Sequence, residues 1–207
     1  MRSRCRIQSL LGRFLSAAIA ATVLATCPGA SAQENAGAVT SVTGLAFAER
    51  SAQRRTLEPR AAILVGDRVG TGPASRVSML LGRDTALRLG ERGNVVIDRF
   101  LVNAGGEIAL ESGPLMFDRP DGSPPQPVRI RSPYGLIAVR GTRFFAGPDD
   151  NALGIFVERG EVAVTAGGRT VRVGAGLGTT IPSPGAPPEP VKQWKQPRIM
   201  KLFGSLR

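Results

Sequence analysis

From residue 77 onward the chain alternates apolar and polar positions in short runs. Val77, Met79 and Leu81 alternate with Ser78 and Leu80, and Gly82-Arg83-Asp84 then turns the chain. Thr85, Leu87 and Leu89 alternate with Ala86 and Arg88 before a second turn over Gly90 to Asn94. The pattern recurs at Val95 and Ile97, at Ile108 and Leu110, and at Leu115 and Phe117. Val128 and Ile130 flank Arg129, Ile137 leads to Val139, and Ile155 and Val157 alternate with Phe156 and Glu158. Val162 and Val164 flank Ala163, and Val171 and Val173 flank Arg172. A period of two, broken by Gly, Asp and Asn turns, predicts an all-β domain. The expected architecture is short antiparallel and mixed strands in two packed layers, either a sandwich or a short solenoid-like stack. Val, Ile and Leu face the core; Arg, Glu and Thr face water. No amphipathic helix is evident between residues 36 and 181, and no major helix is expected in the mature domain.

The alternation breaks once, in "VRGTRFF", residues 139 to 145. Ile137 and Val139 are odd-numbered, whereas Phe144 is even. An unbroken strand would place Val139, Gly141, Arg143 and Phe145 on one face and bury Arg143 among apolar neighbours, which is costly. A one-residue bulge at Gly141 shifts the phase: Thr142 and Phe144 join Val139 inside and Arg143 points out. Glycine permits this because it reaches positive φ without steric cost. Arg140 and Arg143 are then left to pair with nearby acids, such as Glu158 or Glu161, or to face a partner.

Two segments are loops by composition. "DRPDGSPPQP", 118 to 127, holds four prolines, which donate no ladder hydrogen bond, and reads as a surface crossover. "PSPGAPPEP", 182 to 190, holds five, and reads as a stiff, solvated linker that ends the domain. The all-β domain is thus expected over 33–181, followed by a tail over 191–207.

The N-terminus changes the count of charge and cysteine. Arg2, Arg4, Arg6 and Arg13 precede the uncharged apolar run "FLSAAIAATVLAT", and Ala30-Ser31-Ala32 forms an A-x-A site. This is the pattern of a secretory signal peptide over 1–32, with cleavage after Ala32. The apolar run is shorter than the ~20 residues that span a bilayer. No second run of spanning length follows, so no transmembrane helix is expected once the signal is removed. The protein is expected to be periplasmic or otherwise exported. Cys5 and Cys27 are the only cysteines and both fall in the signal, so packing and backbone pairing alone hold the mature chain.

The formal charge of +11 is unevenly spread. Residues 33 to 190 carry 18 Arg against 16 acids, whereas Lys192, Lys195, Arg198, Lys201 and Arg207 lie in a tail with no acid. A nearly balanced body excludes nucleic acid as the expected partner, because such binding needs a basic face on the domain. The tail interleaves its cations with Trp194, Ile199, Met200, Leu202, Phe203 and Leu206. That mixture suits docking onto the body, or contact with a partner protein, anionic lipid or cell-wall polymer. Lys192, Trp194, Lys195, Arg198, Lys201, Leu202 and Phe203 are the candidate contacts. Pro197 prevents one continuous helix, leaving 198 to 206 for a short turn or strand.

The chemistry is sparse. With no histidine and no cysteine beyond residue 32, Ser-His-Asp and Cys-His catalysis and the common zinc sites are excluded. Gly174-Ala175-Gly176-Leu177-Gly178 lacks the spacing of a nucleotide-binding loop and reads as a turn into a last strand. Asp149-Asp150-Asn151 reads as a solvated hairpin tip, with a calcium loop as the alternative. Asp118 and Asp121 read as solvated loop acids. No cofactor, metal or catalytic residue is assigned.

Three stretches carry a family resemblance: "IRSPYGLIAVRGTRFFAG", "IFVERGEVAV" and "VRVGAGLGTTI". They resemble the FecR domain, whose pattern has an extended Thr/Ser-Pro, a Val-Arg-Gly-Thr-x-Phe strand, a hairpin and a closing glycine. Ser132-Pro133, Val139, Arg140, Gly141, Thr142, Phe144, Val157 to Val164 and Val173 to Gly176 fill those places. "LVGDRVGTGPASRVSMLLGRDTALRLGERGNVVI" and "LESGPLMF" are similar to the upstream half, with Gly82-Arg83-Asp84 replacing the usual Asp-Gly turn. The resemblance spans roughly 39 to 181. Members that regulate iron uptake join a cytoplasmic anti-sigma segment and a membrane helix to this periplasmic domain, which listens to an outer-membrane receptor. This chain resembles the periplasmic module alone. The resemblance implies a non-enzymatic binding or sensing module of the bacterial envelope that acts through protein–protein contact with an envelope protein. The alternatives are an envelope structural protein attached to cell-wall polymer or lipid, and a hydrolase using carboxylates only.

Overall fold

The computed structural model describes residues 34–101, 105–123 and 127–206. The signal-peptide reading of 1–32 lies outside them. The strands are β1 (Asn35–Thr43), β2 (Ala46–Arg50), β3 (Gln53–Thr56), β4 (Ala62–Leu64), β5 (Arg68–Thr71), β6 (Arg76–Leu81), β7 (Thr85–Leu89) and β8 (Asn94–Leu101). They continue as β9 (Gly105–Ser112), β10 (Leu115–Asp118), β11 (Val128–Ser132), β12 (Gly135–Asp149), β13 (Ala152–Ala166), β14 (Arg169–Gly174), β15 (Leu177–Ile181) and β16 (Lys192–Gln193). Among the described residues one helix, α1 (Gln196–Gly204), follows.

All the strands join one hydrogen-bonded sheet, ordered β3-β2-β5-β8-β9-β11-β12-β10-β7-β6-β1-β4, with β13 to β16 branching from β12. Among the described residues only β9 and β11 pair in parallel; the other pairs are antiparallel. The all-β class and mixed pairing expected from the sequence hold. The layers come from one sheet that curls around a single core, so its inner faces meet. Val39, Ile63, Val77, Leu87, Ile97, Ile108, Phe117, Ile137, Phe144, Ile155 and Val164 belong to that core.

The long strands β12 and β13 form the central hairpin. The first half of β12 pairs with β11 and the second half with β10. In β13 the order is reversed: its first half pairs with β15 and its second with β14. Strands β10 and β11, joined through the proline-rich segment, thus lie along one edge of β12, on its two halves, and β13 takes the other edge.

Between the halves the pairing slips, with register shifts at Arg140/Arg143 and Arg143/Phe144. Gly141 has φ +57°, and opposite it Gly160 has φ +82°. The bulge predicted at Gly141 is present, and it is matched on β13. Thr142 and Phe144 are buried, and the Phe144 ring lies 5.4 Å from that of Phe117. The Thr142 hydroxyl lies 3.0 Å from the carbonyl oxygens of both Arg140 and Glu161, tying the two strands together across the slip.

The early strands are pinned by a buried carboxylate. Asp67 accepts a hydrogen bond from the Leu64 amide at 2.8 Å and from Arg55 Nη1 at 3.0 Å. The hydrogen bond to Asp67 holds the Arg55 guanidinium above its usual pKa, against the opposing effect of burial. Paired in this way, the buried carboxylate is stabilised in a position that would otherwise be unfavourable.

The C-terminal segment differs from the linker-and-tail expectation. The Glu189 amide donates to the Thr180 carbonyl at 2.9 Å, and the Thr179 hydroxyl donates to the Glu189 carbonyl at 2.7 Å. The proline-rich stretch therefore bends back along β15. Short strand β16 then pairs with β15, and α1 follows. Pro197 stands in the first turn of α1, where its missing N–H removes no helical bond, so it starts the helix.

Candidate functional site

The outer face of the central hairpin is divided at the bulge. In the second half of β12, the outward residue Phe145 pairs with Phe156 of β13, flanked by Met116 on β10 and Gly178 on β15. An outward apolar row of this kind requires cover. Trp194, Leu202 and Leu206 supply it, and with Met116, Phe145 and Phe156 they form a second buried cluster packed by Ile199 and Phe203. The Phe156 and Trp194 rings stack at 5.7 Å, and Phe145 and Phe203 at 6.0 Å. The indole lies in a slot made by absent side chains: a Cβ on Gly178 would stand 2.7 Å from Trp194 Cδ2, and one on Gly154 would stand 3.2 Å from Cη2.

Charge fastens the same cover. Arg198 donates through Nε to Asp149 at 2.9 Å and through Nη2 to the Thr180 hydroxyl at 2.9 Å. Its guanidinium lies 3.7 Å from the Trp194 ring centroid. Asp149, expected as part of a solvated tip, is instead buried beneath this contact. Lys201 donates to Asp150 at 2.9 Å; that bond pushes the Asp150 carboxyl below and the Lys201 ammonium above their usual pKa values. Of the tail's candidate contacts, Trp194 and Leu202 are buried and Phe203 is half-buried. Arg198 and Lys201 are held by Asp149 and Asp150. Lys192 is exposed, 3.7 Å from Glu189, and Lys195 is exposed at the helix N-cap.

At the bulge a chain of charges closes the outer surface. Arg143 reaches Glu158 and, at 3.0 Å, Asp118. Arg159 reaches Asp118 at 3.0 Å and Asp121 at 3.2 Å. Burial disfavours the Arg143 charge, but Glu158 and Asp118 outweigh it and hold its pKa above the usual value. Asp118 and Asp121 are therefore ion partners rather than free loop acids.

The other half of the hairpin is bare. Its outward row, read across β11, β12, β13 and β14, is Arg129, Ala138, Ala163 and Arg172. Arg140 and Glu161 stand opposite each other in the next outward row. Together with Pro127, Val128 and Val139 these residues line an open groove of about 760 Å³. Arg129, Arg140 and Arg172 are exposed and have no ion partner among the described residues.

Sequence reasoning singled out Val139, Arg140, Gly141, Thr142 and Phe144. The structure gathers them at the bulge: Val139, Thr142 and Phe144 inside, Arg140 outside. It missed Arg129 and Arg172, and the covered row under Trp194. Consecutive apolar residues, Phe144-Phe145 and Phe156-Val157, were the available signal for a strand covered on both faces. Among the described residues no group of three or more acids clusters as a metal site would require, and no helix is long and apolar enough to cross a membrane.

The fold and surface define an all-β domain with one covered and one open outer face. Residues 67–163 match the family model described as FecR protein, so this segment is a FecR domain. The match begins at the buried Asp67 and ends at Ala163, inside the central hairpin. No curated protein matches the chain. Two crystal structures of a candidate anti-sigma factor from Parabacteroides distasonis ATCC 8503 share the fold. Their TM-scores are 0.54 and 0.53, each at 13% identity over 66% of this chain. The chain spans 64% and 63% of those proteins' lengths, and at this identity the likeness is one of fold.

Proposed function

We propose that the chain is a signalling or regulatory module of the bacterial envelope that acts, without catalysis, by binding another protein. The observation that carries this reading is the FecR segment at 67–163, together with a fold shared with a candidate anti-sigma factor. The open arginine-bordered face is a surface on which such contact can occur. Export through the signal read in residues 1–32 belongs to the same proposal, with residues 33–206 as the working module. The tail, with Trp194 and Leu202 turned inward, serves here as a strap on the module; this disfavours the lipid-adhesion alternative.

Crosslinking in intact cells, followed by purification of the tagged chain, tests the proposal. One specific envelope protein recovered reproducibly is the expected result, with N-terminal sequencing of the recovered chain starting at Gln33. Recovery of cell-wall polymer or lipid alone would overturn it in favour of an envelope structural role.

A further inference from the structure

We propose that the bare outer face of β11 to β14 is the partner-binding surface, and that it takes an extended acidic segment of a protein. The segment's carboxylates would engage Arg129 and Arg172 and its backbone would cross Ala138 and Ala163. This rests on the protein-binding reading above.

Three observations converge on it. The first is charge. Arg131, Arg143, Arg159 and Arg198 all meet carboxylates within the molecule. Arg129, Arg140 and Arg172 meet none among the described residues, although Glu161 stands nearby. A guanidinium presents a planar fork of donors that matches a carboxylate, so three unpaired forks bordering one groove form an anion-selective surface. The second is relief. The floor between the arginines is two alanines paired across β12 and β13. Small side chains let another backbone approach closely, whereas on the other half of the same hairpin the paired outward residues are Phe145 and Phe156.

The third is spacing. Arg129 and Arg172 stand three strands apart, and at about 4.8 Å per strand their Cα atoms are separated by roughly 14 Å. An extended chain rises about 3.3 Å per residue, so two acids four residues apart lie roughly 13 Å apart on one face. The surface thus selects an acid at each end of such a stretch and a small residue midway, over the alanines. Arg140 adds a third cation on one flank, and Glu161 beside it repels a carboxylate there. A lipid headgroup is disfavoured because the groove's exposed floor presents no bulky apolar side chain to enter a bilayer.

Fluorescence anisotropy with the purified protein and a labelled peptide, Thr-Glu-Val-Ala-Val-Glu-Thr, tests this. A scrambled peptide with its two glutamates adjacent, and vesicles of anionic lipid, are the comparison arms. The expected result is salt-sensitive binding of the first peptide, at least about tenfold tighter than the scrambled one. It should weaken about tenfold or more in the Arg129→Gln/Arg172→Gln variant. Both substitutions lie on the exposed surface, and unchanged Trp194 fluorescence would verify the fold. The Arg60→Gln/Arg83→Gln variant, with two exposed arginines removed elsewhere, should bind as the parent does. Equal binding of both peptides, equal loss in both variants, no peptide binding, or binding of vesicles alone would overturn the proposal. A partner recovered by crosslinking together with a failed peptide assay would refute this surface and leave the protein-binding role standing.

Discussion

The two halves of the central hairpin are built from the same two strands and end in opposite states. Both bury Val and Ile on the inner face, and the covered half adds Phe144. On the outer face one half carries Met116, Phe145 and Phe156 and is closed by α1; the other carries Arg129, Ala138, Ala163 and Arg172 and is open. The division falls at Gly141 and Gly160, where the register slips. A strand face that needs cover and one that offers a surface are thus written in the polarity and size of the outward side chains, and the bulge lets one hairpin carry both.

Truncation should separate the halves most strongly. Phe145→Ala removes a ring with no solvent exposure and leaves a cavity beneath α1, so a loss of about 3–5 kcal/mol is expected in urea unfolding. Ala138→Ser on the open half should stay within about 0.5 kcal/mol. Similar losses at the two sites would erase the distinction.

Gly178→Ala is the next test. Its methyl would stand 2.7 Å from Trp194 Cδ2 and closer still to Cε2, and the expected cost is about 1–3 kcal/mol with a red shift of Trp194 emission. Trp194 is the only tryptophan, so the signal reports this contact alone.

At the division, Gly160→Ala should cost more than Gly141→Ala. A Cβ at Gly160 would meet the Gly141 carbonyl oxygen at 2.6 Å, whereas one at Gly141 meets nothing within 4 Å. Gly141→Ala therefore reports backbone conformation alone, at about 1 kcal/mol, and both are read by thermal unfolding.

The smallest effect is electrostatic. The Asp150 pKa is lowered by Lys201, so its contribution is complete above the usual Asp range and is lost only as pH falls through that lowered value. The Lys201 pKa is raised, so its contribution is complete below the usual Lys range and is lost as pH rises through the raised value. Trp194 emission should therefore be flat between about pH 5 and pH 9 and change only in acid or strong base. Lys201→Gln should move the acid change to higher pH. A transition near neutrality would contradict this assignment.

The strands and the bulge were legible because both follow from local pattern: a period of two, and a phase break at a glycine. The partners of Arg143 were legible in part, since Glu158 lies on the neighbouring strand. The covered row was not, because period two assigns Phe145 and Phe156 to the outer face and says nothing of what lies above it. Trp194 is matched to Gly178 and Gly154 only in space. Asp149 looked solvated because its partner, Arg198, lies 49 residues away. The β2–β3 hairpin was also hidden: Ser51 and Ala52 make its turn at φ 48° and 64°, without the glycine or asparagine that marks such turns. Arg129 and Arg172 looked like ordinary outward residues until the register aligned them across four strands.

Thiol labelling tests the division most directly. With Cys5→Ser and Cys27→Ser as background, the chain has no other cysteine. Ala138→Cys on the open half should react at the rate of a free thiol. Met116→Cys beneath α1 should react at least about 100-fold more slowly, corresponding to an opening free energy near 3 kcal/mol. Removing residues 195–206 should abolish that protection and leave Ala138→Cys unchanged. Equal labelling of the two sites in the full chain would contradict a hairpin with one face closed and the other open.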